Sequence, residues 1–234
     1  MEKMRFNTKI VLYNSYFDCD DRLNLKSILN IFQDVSSLHG ELLGVGYKDM
    51  LTKNLYWVLS RVKFDILKAP VVNQTVIVET WPHIKGRIDF DRDIRILDES
   101  GEVLIIGTSK WCVIDCISRT LQRTDKVNYM GEYFLVENYN EKFNKIMLPL
   151  GDFEMKYTYN VMYSDLDHNK HMNNTNYANL VLSAINNKNI SHFEINFIKE
   201  CTVKDKIDIY TLKSDGEYLV GKVEGEERFR SYVK

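Results

Sequence analysis

Between Leu25 and Leu43 the apolar positions recur every three or four residues. Leu25, Ile28, Leu29, Phe32, Val35, Leu42 and Leu43 trace one stripe, which predicts an amphipathic helix. Asn24 is a fitting N-cap and Gly44 a fitting stop. A short strand, Lys9 to Tyr16, precedes it. After the helix the period drops to two. Tyr56, Val58, Ser60, Val62 and Phe64 alternate with Trp57, Leu59, Arg61 and Lys63, and Val76, Val78 and Thr80 alternate with Thr75, Ile77 and Glu79. From Arg87 to Leu97, Ile88, Phe90, Ile94 and Ile96 share one face, while Arg87, Asp89, Asp91, Asp93 and Arg95 share the other. Half-buried antiparallel strands have this pattern. Glu99-Ser100-Gly101-Glu102 then turns the chain into a further strand, Val103 to Asp115.

The alternation fades from about 125 to 152, and then the order returns. Lys156 to Tyr163 alternates as a strand; Tyr177, Leu180, Val181 and Ala184 mark a helix face that Asn186-Asn187-Lys188-Asn189 ends; Ser191–Phe197, Lys206–Leu212 and Tyr218–Val223 follow as strands. The expectation is an α+β fold, an antiparallel sheet wrapped around a helix in each half. The expected division is an N-terminal domain over 1–130, a linker over 131–152 and a C-terminal domain over 153–234. Setting Asp18-Cys19-Asp20 over Asp165-Leu166-Asp167 gives a repeat offset of 147 residues, with Arg22 in place of Asn169 and Asn24 in place of His171.

Composition narrows the class. The chain of 234 residues is 44% hydrophobic and 27% charged, the balance of a globular protein with a core of useful size. A net charge of −2 gives no bulk attraction to nucleic acid. Cys19, Cys112, Cys116 and Cys201 form no Cys-x-x-Cys pair and no zinc spacing, so free thiols in a reducing compartment are expected. No apolar run reaches the ~20 residues a membrane helix needs, and the first residues lack a signal-peptide core. A cytoplasmic location is therefore expected.

The candidate chemistry lies in Asp165-Leu166-Asp167-His168-Asn169-Lys170-His171-Met172-Asn173-Asn174. If this stretch is extended, Asp165, Asp167, Asn169 and His171 share a face at roughly 6.5–7 Å spacing. A carboxylate, an amide donor and an imidazole so grouped suit attack of water on a thioester. Imidazole exchanges protons near neutral pH, a carboxylate orients it or attacks, and an amide donates to the oxyanion. Asn173 and Asn174 stand where the second helix should begin, with its free N–H groups and positive dipole end. The plain alternative is a surface turn of turn-forming residues. A second candidate is Glu200-Cys201. A strand beside the helix would bring Glu200 back toward the loop as the water-activating base, while Cys201 would serve either as a nucleophile paired with His171 or as a small buried side chain. His39 and His192 read as structural, His168 faces away from His171, and His83 carries no mark. His168 and His171 recruit no third metal ligand.

Asp165-Leu166-Asp167-x-Asn169-x-His171-Met172-Asn173-Asn174-x-x-Tyr177 resembles the site signature of the acyl-acyl carrier protein (acyl-ACP) thioesterases of plants and bacteria. Trp57-Val58-Leu59-Ser60-Arg61, Glu79-Thr80-Trp81 and Gly107-Thr108-Ser109-Lys110-Trp111 look like that family's first domain. Ile195-Asn196-Phe197-x-x-Glu200-Cys201 resembles its second catalytic segment. The resemblance implies a tandem double hotdog fold and hydrolysis of fatty acyl-ACP thioesters to free fatty acid and ACP, ending fatty acid synthesis without a cofactor. It implies Asp167, Asn169, His171 and Glu200 as the catalytic set. Cys201 matches a cysteine once assigned the nucleophile role in the family. The acyl pocket is expected mainly in the first domain, with Leu29, Phe32 and Trp57 as candidates. The implied partner is acyl carrier protein bearing a phosphopantetheine-linked acyl chain, with no nucleic-acid or membrane partner; a homodimer is left open beside pairing of the two domains. Lacking the plastid transit extension of the plant members, the chain is expected to be a cytosolic bacterial protein. An acyl-CoA thioesterase and a non-catalytic acyl-thioester-binding module are the alternatives.

Overall fold

A computed structural model describes residues 4–129 and 131–234. It divides into two compact units between Phe143 and Asn144.

The first unit contains β1 (Phe6–Val11), α1 (Leu25–Leu42), α2 (Tyr47–Thr52), β2 (Leu55–Ile66), β3 (Thr75–Pro82), β4 (Phe90–Asp98) and β5 (Val103–Asp115). Its sheet is antiparallel in the order β1-β3-β4-β5-β2. Asn24 caps α1, its side-chain oxygen accepting the Lys26 N–H at 2.8 Å. Gly44, at φ +69°, takes the left-handed position that follows the helix end. Leu25, Ile28, Leu29, Phe32 and Val35 are buried as the stripe predicts, but Leu42 is 67% exposed. Phe32 meets Phe64 edge to face, with centroids 5.9 Å apart. It also lies directly over Gly107, where even a Cβ would come within 2.3 Å of its ring.

The polar face of β4 is not left to solvent as its alternation suggests. Asn138 N–H donates to Asp93 Oδ2 at 2.6 Å, Asn138 Nδ2 donates to the carbonyls of Ile94 and Gly107, and Trp81 Nε1 donates to Val136 O. Residues after β5 thus run over this face, and Asp93 is only 1% exposed. On the other face Arg92 is buried, donating to His39 Nδ1 at 2.9 Å and to Thr80 Oγ1 at 3.1 Å.

The second unit contains β6 (Glu154–Asn160), α3 (Tyr177–Ala184), β7 (His192–Phe197), β8 (Lys206–Lys213), β9 (Glu217–Val223) and β10 (Glu226–Val233). Its antiparallel order is β6-β8-β9-β10-β7. That is the order of the first unit with each strand replaced by its counterpart. The helix here is shorter, eight residues entered through a 3-10 turn at Asn174–Asn176. Tyr177 fills the helix–sheet layer, edge-on to Phe197 and Phe229. Two elements were not expected from the sequence, α2 and β10. Two expected strands stop short: the predicted Lys9–Tyr16 and Lys156–Tyr163 give way to 3-10 turns at Asn14–Tyr16 and Tyr163–Asp165.

Those turns correct the repeat register. Phe17 bridges Leu23 and Leu166 bridges Met172. Asp18 N–H reaches Arg22 O as Asp167 N–H reaches His171 O, and Asp21 and Lys170 are both left-handed, at φ +56° and +65°. Asp18 therefore corresponds to Asp167, an offset of 149 residues rather than 147. Asp20 matches Asn169, Arg22 matches His171, and Asn24 matches Asn173. The pairing of Asp18 with Asp165 matched composition instead of turn geometry, and it is two positions out.

Candidate active site

The polar segment of the second unit is a tight loop, not an extended strand. Asp167 Oδ1 accepts the N–H groups of Asn169 at 2.8 Å and His171 at 3.4 Å, and Lys170 N–H closes on Asp167 O. This is an Asx turn, in which a short carboxylate substitutes for backbone partners. The shared face expected from alternation is thus absent. Asp165 turns back, its Oδ2 accepting from Met162 N and from the Tyr159 hydroxyl. Asn169 is exposed at the loop tip.

His171 leaves the loop toward the second segment. Its Nε2 lies 3.2 Å from Glu200 Oε2, with side chains 23% and 39% exposed. Met172 N–H donates to Cys201 O at 2.8 Å, so a backbone bond ties the loop to the Glu200-Cys201 segment. The structure therefore brings Asp167, Asn169, His171 and Glu200 to one place, as an Asx-turn frame, an exposed amide and an imidazole–carboxylate pair.

Cys201 is adjacent in sequence but chemically different. It is fully buried and hydrogen-bonds Tyr177, and burial pushes its thiol up against the lowering effects of Tyr177 and Arg228. Burial likewise pushes the Tyr177 hydroxyl well above its ordinary value. A thiol so placed holds little thiolate at neutral pH, and His171 pairs with Glu200 instead. Asn173 acts as a cap: its Oδ1 accepts Thr175 N and Oγ1, both at 3.0 Å, and Asn176 N–H bonds Asn173 O. Two of the helix-start N–H groups, those of Thr175 and Asn176, are thereby spent inside the turn. Of the acyl-pocket candidates, Leu29 and Phe32 are core side chains of the first unit at 4% and 3% exposure, while Trp57 is half-buried and donates to Val45 O at 2.9 Å. Among the described residues no group of three or more His, Cys, Asp or Glu is arranged to hold a metal, and no helix is long and apolar enough to cross a membrane.

The first unit keeps the frame without the chemistry. Asp18 Oδ1 accepts from Asp20 N and Arg22 N at 2.9 and 3.0 Å, the bonds Asp167 makes. There Arg22, at the His171 position, folds back onto Asp18 and Asp20. Two residues beside Cys201 were not among the sequence candidates for the site: Tyr177, placed on a helix face and at the end of the signature, and Arg228, on a strand the periodicity did not mark.

Comparison with known proteins decides the family. Residues 2–131 match the acyl-ACP thioesterase N-terminal domain and residues 151–229 the acyl-ACP thioesterase C-terminal domain. The chain belongs to the acyl-ACP thioesterase family. Among relatives of this family, oleoyl-acyl carrier protein thioesterase 2 of Arabidopsis thaliana is 28% identical over 94% of this chain, and dodecanoyl-[acyl-carrier-protein] hydrolase of Cinnamomum camphora is 26% identical over 87%. This chain spans 66% and 58% of their respective lengths. Among solved structures, an acyl-ACP thioesterase from Bacteroides thetaiotaomicron shares 22% identity at a TM-score of 0.86, with 98% of this chain and 97% of that one covered. The 12:0-ACP thioesterase from Umbellularia californica shares 23% at 0.83, with 100% and 98% covered. These establish the tandem hotdog fold expected from the sequence, with α+β character in both halves.

Proposed function

We propose that this chain hydrolyses fatty acyl thioesters of acyl carrier protein, releasing the free fatty acid and the carrier's thiol. The observation that carries this reading is the His171–Glu200 pair at 3.2 Å beside the Asn169 loop tip. It appears in only one of two otherwise matching turns, in a chain of this family.

The steps follow from what each group can do. Water attacks the thioester carbon while Glu200, paired with His171, takes its proton. The Asn169 amide and the Asn174 end of the helix start donate to the carbonyl oxygen as it gains charge. The C–S bond then breaks and the thiolate takes the proton back from the pair. Asp167 shapes the loop that carries Asn169 and His171. The acyl chain is assigned to the first unit at the half-buried Trp57, since Leu29 and Phe32 are already packed in its core. Acyl carrier protein is the partner, and a cytoplasmic location suits that partner.

A panel of acyl chains, each presented on carrier protein and on coenzyme A, tests the proposal. Faster release from carrier protein is expected. Equal or faster release from coenzyme A would make the chain an acyl-CoA thioesterase, and tight binding without turnover would leave only a binding module. In the same assay Asn169→Ala and His171→Ala are expected to lose about 10²–10³ in rate while folding normally. More than a tenth of wild-type activity in both would remove these residues from the mechanism.

A further inference from the structure

The two units also match around the second polar segment. In the first, Leu67 and Lys68 donate their N–H groups to Leu104 O at 2.9 and 3.1 Å; in the second, Ile198 and Lys199 donate to Arg228 O at 2.8 and 3.2 Å. Ala69 and Pro70 thus stand where the second unit has Glu200 and Cys201. Leu104 and Arg228 each follow a left-handed glycine by three positions, Gly101 at φ +89° and Gly225 at φ +82°. Each is also the extra residue of a β-bulge. The ladder steps from Leu97↔Val103 to Ile96↔Ile105 in one unit and from Lys222↔Glu227 to Gly221↔Phe229 in the other.

At this shared position the first unit buries a leucine, 1% exposed, and the second buries an arginine, 8% exposed. The arginine is poorly compensated. Neither Nε nor Nη1 has a hydrogen-bond acceptor. Nη1 lies 3.5 Å from Glu226 Oε2, a carboxylate 62% exposed and held at 2.6 Å by Lys199. Burying a cation with unmet donors costs several kcal/mol, and an apolar residue of similar volume is often as good or better for stability. The copy shows that leucine fills this bulge. Stability therefore gives no reason for the arginine. Its charge reaches both Cys201 and Tyr177, and Cys201 O receives the Met172 N–H that ties this segment to the His171 loop.

We propose that Arg228 is a positioning residue of the thioester site. The bulge holds its guanidinium buried at the segment joining Glu200 to the His171 loop, and this positive charge stabilises the negative charge that develops on the reacting carbonyl. It touches no substrate; it acts through its field, which a low-dielectric surrounding strengthens. This rests on the hydrolytic reading above.

The test compares wild type, Arg228→Leu and Arg228→Lys on the acyl thioester that wild type cleaves fastest, with thermal unfolding measured in parallel. Arg228→Leu, which installs the copy's own residue, is expected to unfold at the same temperature or higher. Its kcat should fall at least about tenfold, with KM within about twofold. Arg228→Lys should recover part of kcat by restoring the charge. The proposal is overturned if Arg228→Leu keeps kcat within threefold, or if KM alone rises. A Tm that falls in step with activity, or a lysine variant no better than leucine, would also overturn it. Wild type inactive on every thioester would instead sink the hydrolytic reading, and this inference with it.

Discussion

At the scale of single residues, the two halves act as each other's control. Asp167 makes the same two backbone bonds as Asp18, which stands in a turn with no imidazole and no amide. Its duty in the structure is therefore to bend the loop. An asparagine oxygen can accept the same pair of N–H groups, so Asp167→Asn is expected to keep activity within about tenfold of wild type, while Asp167→Ala, which removes the acceptor, loses far more. If Asp167 attacked the carbonyl, asparagine would be as inactive as alanine, and steady-state rates of the two variants decide between these outcomes. Glu200 and Cys201 separate in the same way. Cys201→Ala should retain most activity, since the thiol is buried and its pKa is raised, whereas Glu200→Ala should fall about 10²–10⁴-fold as a lost general base does. An active Glu200→Ala beside a dead Cys201→Ala would restore the cysteine nucleophile. The residue types at the site were legible because Asp, Asn and His crowd into so few positions. Their geometry was not, because alternation describes strands, and an Asp two residues before a backbone N–H competes with the strand for that N–H. Arg228 was illegible for a different reason: the slip between Glu227 and Phe229 is set by pairing with β9, which local periodicity does not contain.

At the scale of elements, α1 was the most legible feature. Its stripe, the Asn24 cap and the Gly44 stop all stand where the spacing puts them. Leu42 departs because the stripe drifts around the helix within its last turn. The strand boundaries near the polar loops were less legible, since the expected strands run on to Tyr16 and Tyr163 while the backbone has already left the sheet. How closely α1 approaches its sheet could not be read from sequence at all. Gly107 permits it: a methyl group there would sit 2.3 Å from Phe32 Cε2 and 3.0 Å from the Lys63 carbonyl oxygen. Because one of those neighbours is backbone, Phe32 cannot relieve the crowding by itself. Gly107→Ala is expected to destabilise by about 1–3 kcal/mol, read as a lower urea midpoint at unchanged m. A midpoint within error of wild type would show that the layer has slack.

At the scale of the whole molecule, two histidines of the first unit set how stability responds to pH. His39 is 4% exposed, accepts from Arg92 through Nδ1, and stacks on Phe6. Burial, helped by the Arg92 charge, holds it down at about 3 from an ordinary 6.5. The sign follows directly. Above pH 6.5 the imidazole is neutral whether the chain is folded or not, and it makes no difference. Below pH 6.5 the unfolded chain takes up a proton that the folded chain refuses until about pH 3, so stability drains away steadily across that window. By pH 5 the loss is on the order of 2 kcal/mol. His83 acts in the opposite sense. Burial lowers its pKa, but the Asp93 bond and nearby carboxylates outweigh that and raise it, so its contribution is present at acid pH and fades as pH rises through the raised value. A titration of wild type alone would mix the two effects. His39→Gln keeps an acceptor for Arg92 and removes the titration, so the difference between variant and wild type isolates His39. Urea unfolding at pH 7 and pH 5 should show wild type losing about 2 kcal/mol more than His39→Gln over that interval. Parallel losses in the two proteins would mean that His39 titrates in the folded chain as it does in the unfolded one, and that the Arg92 contact does not hold it neutral.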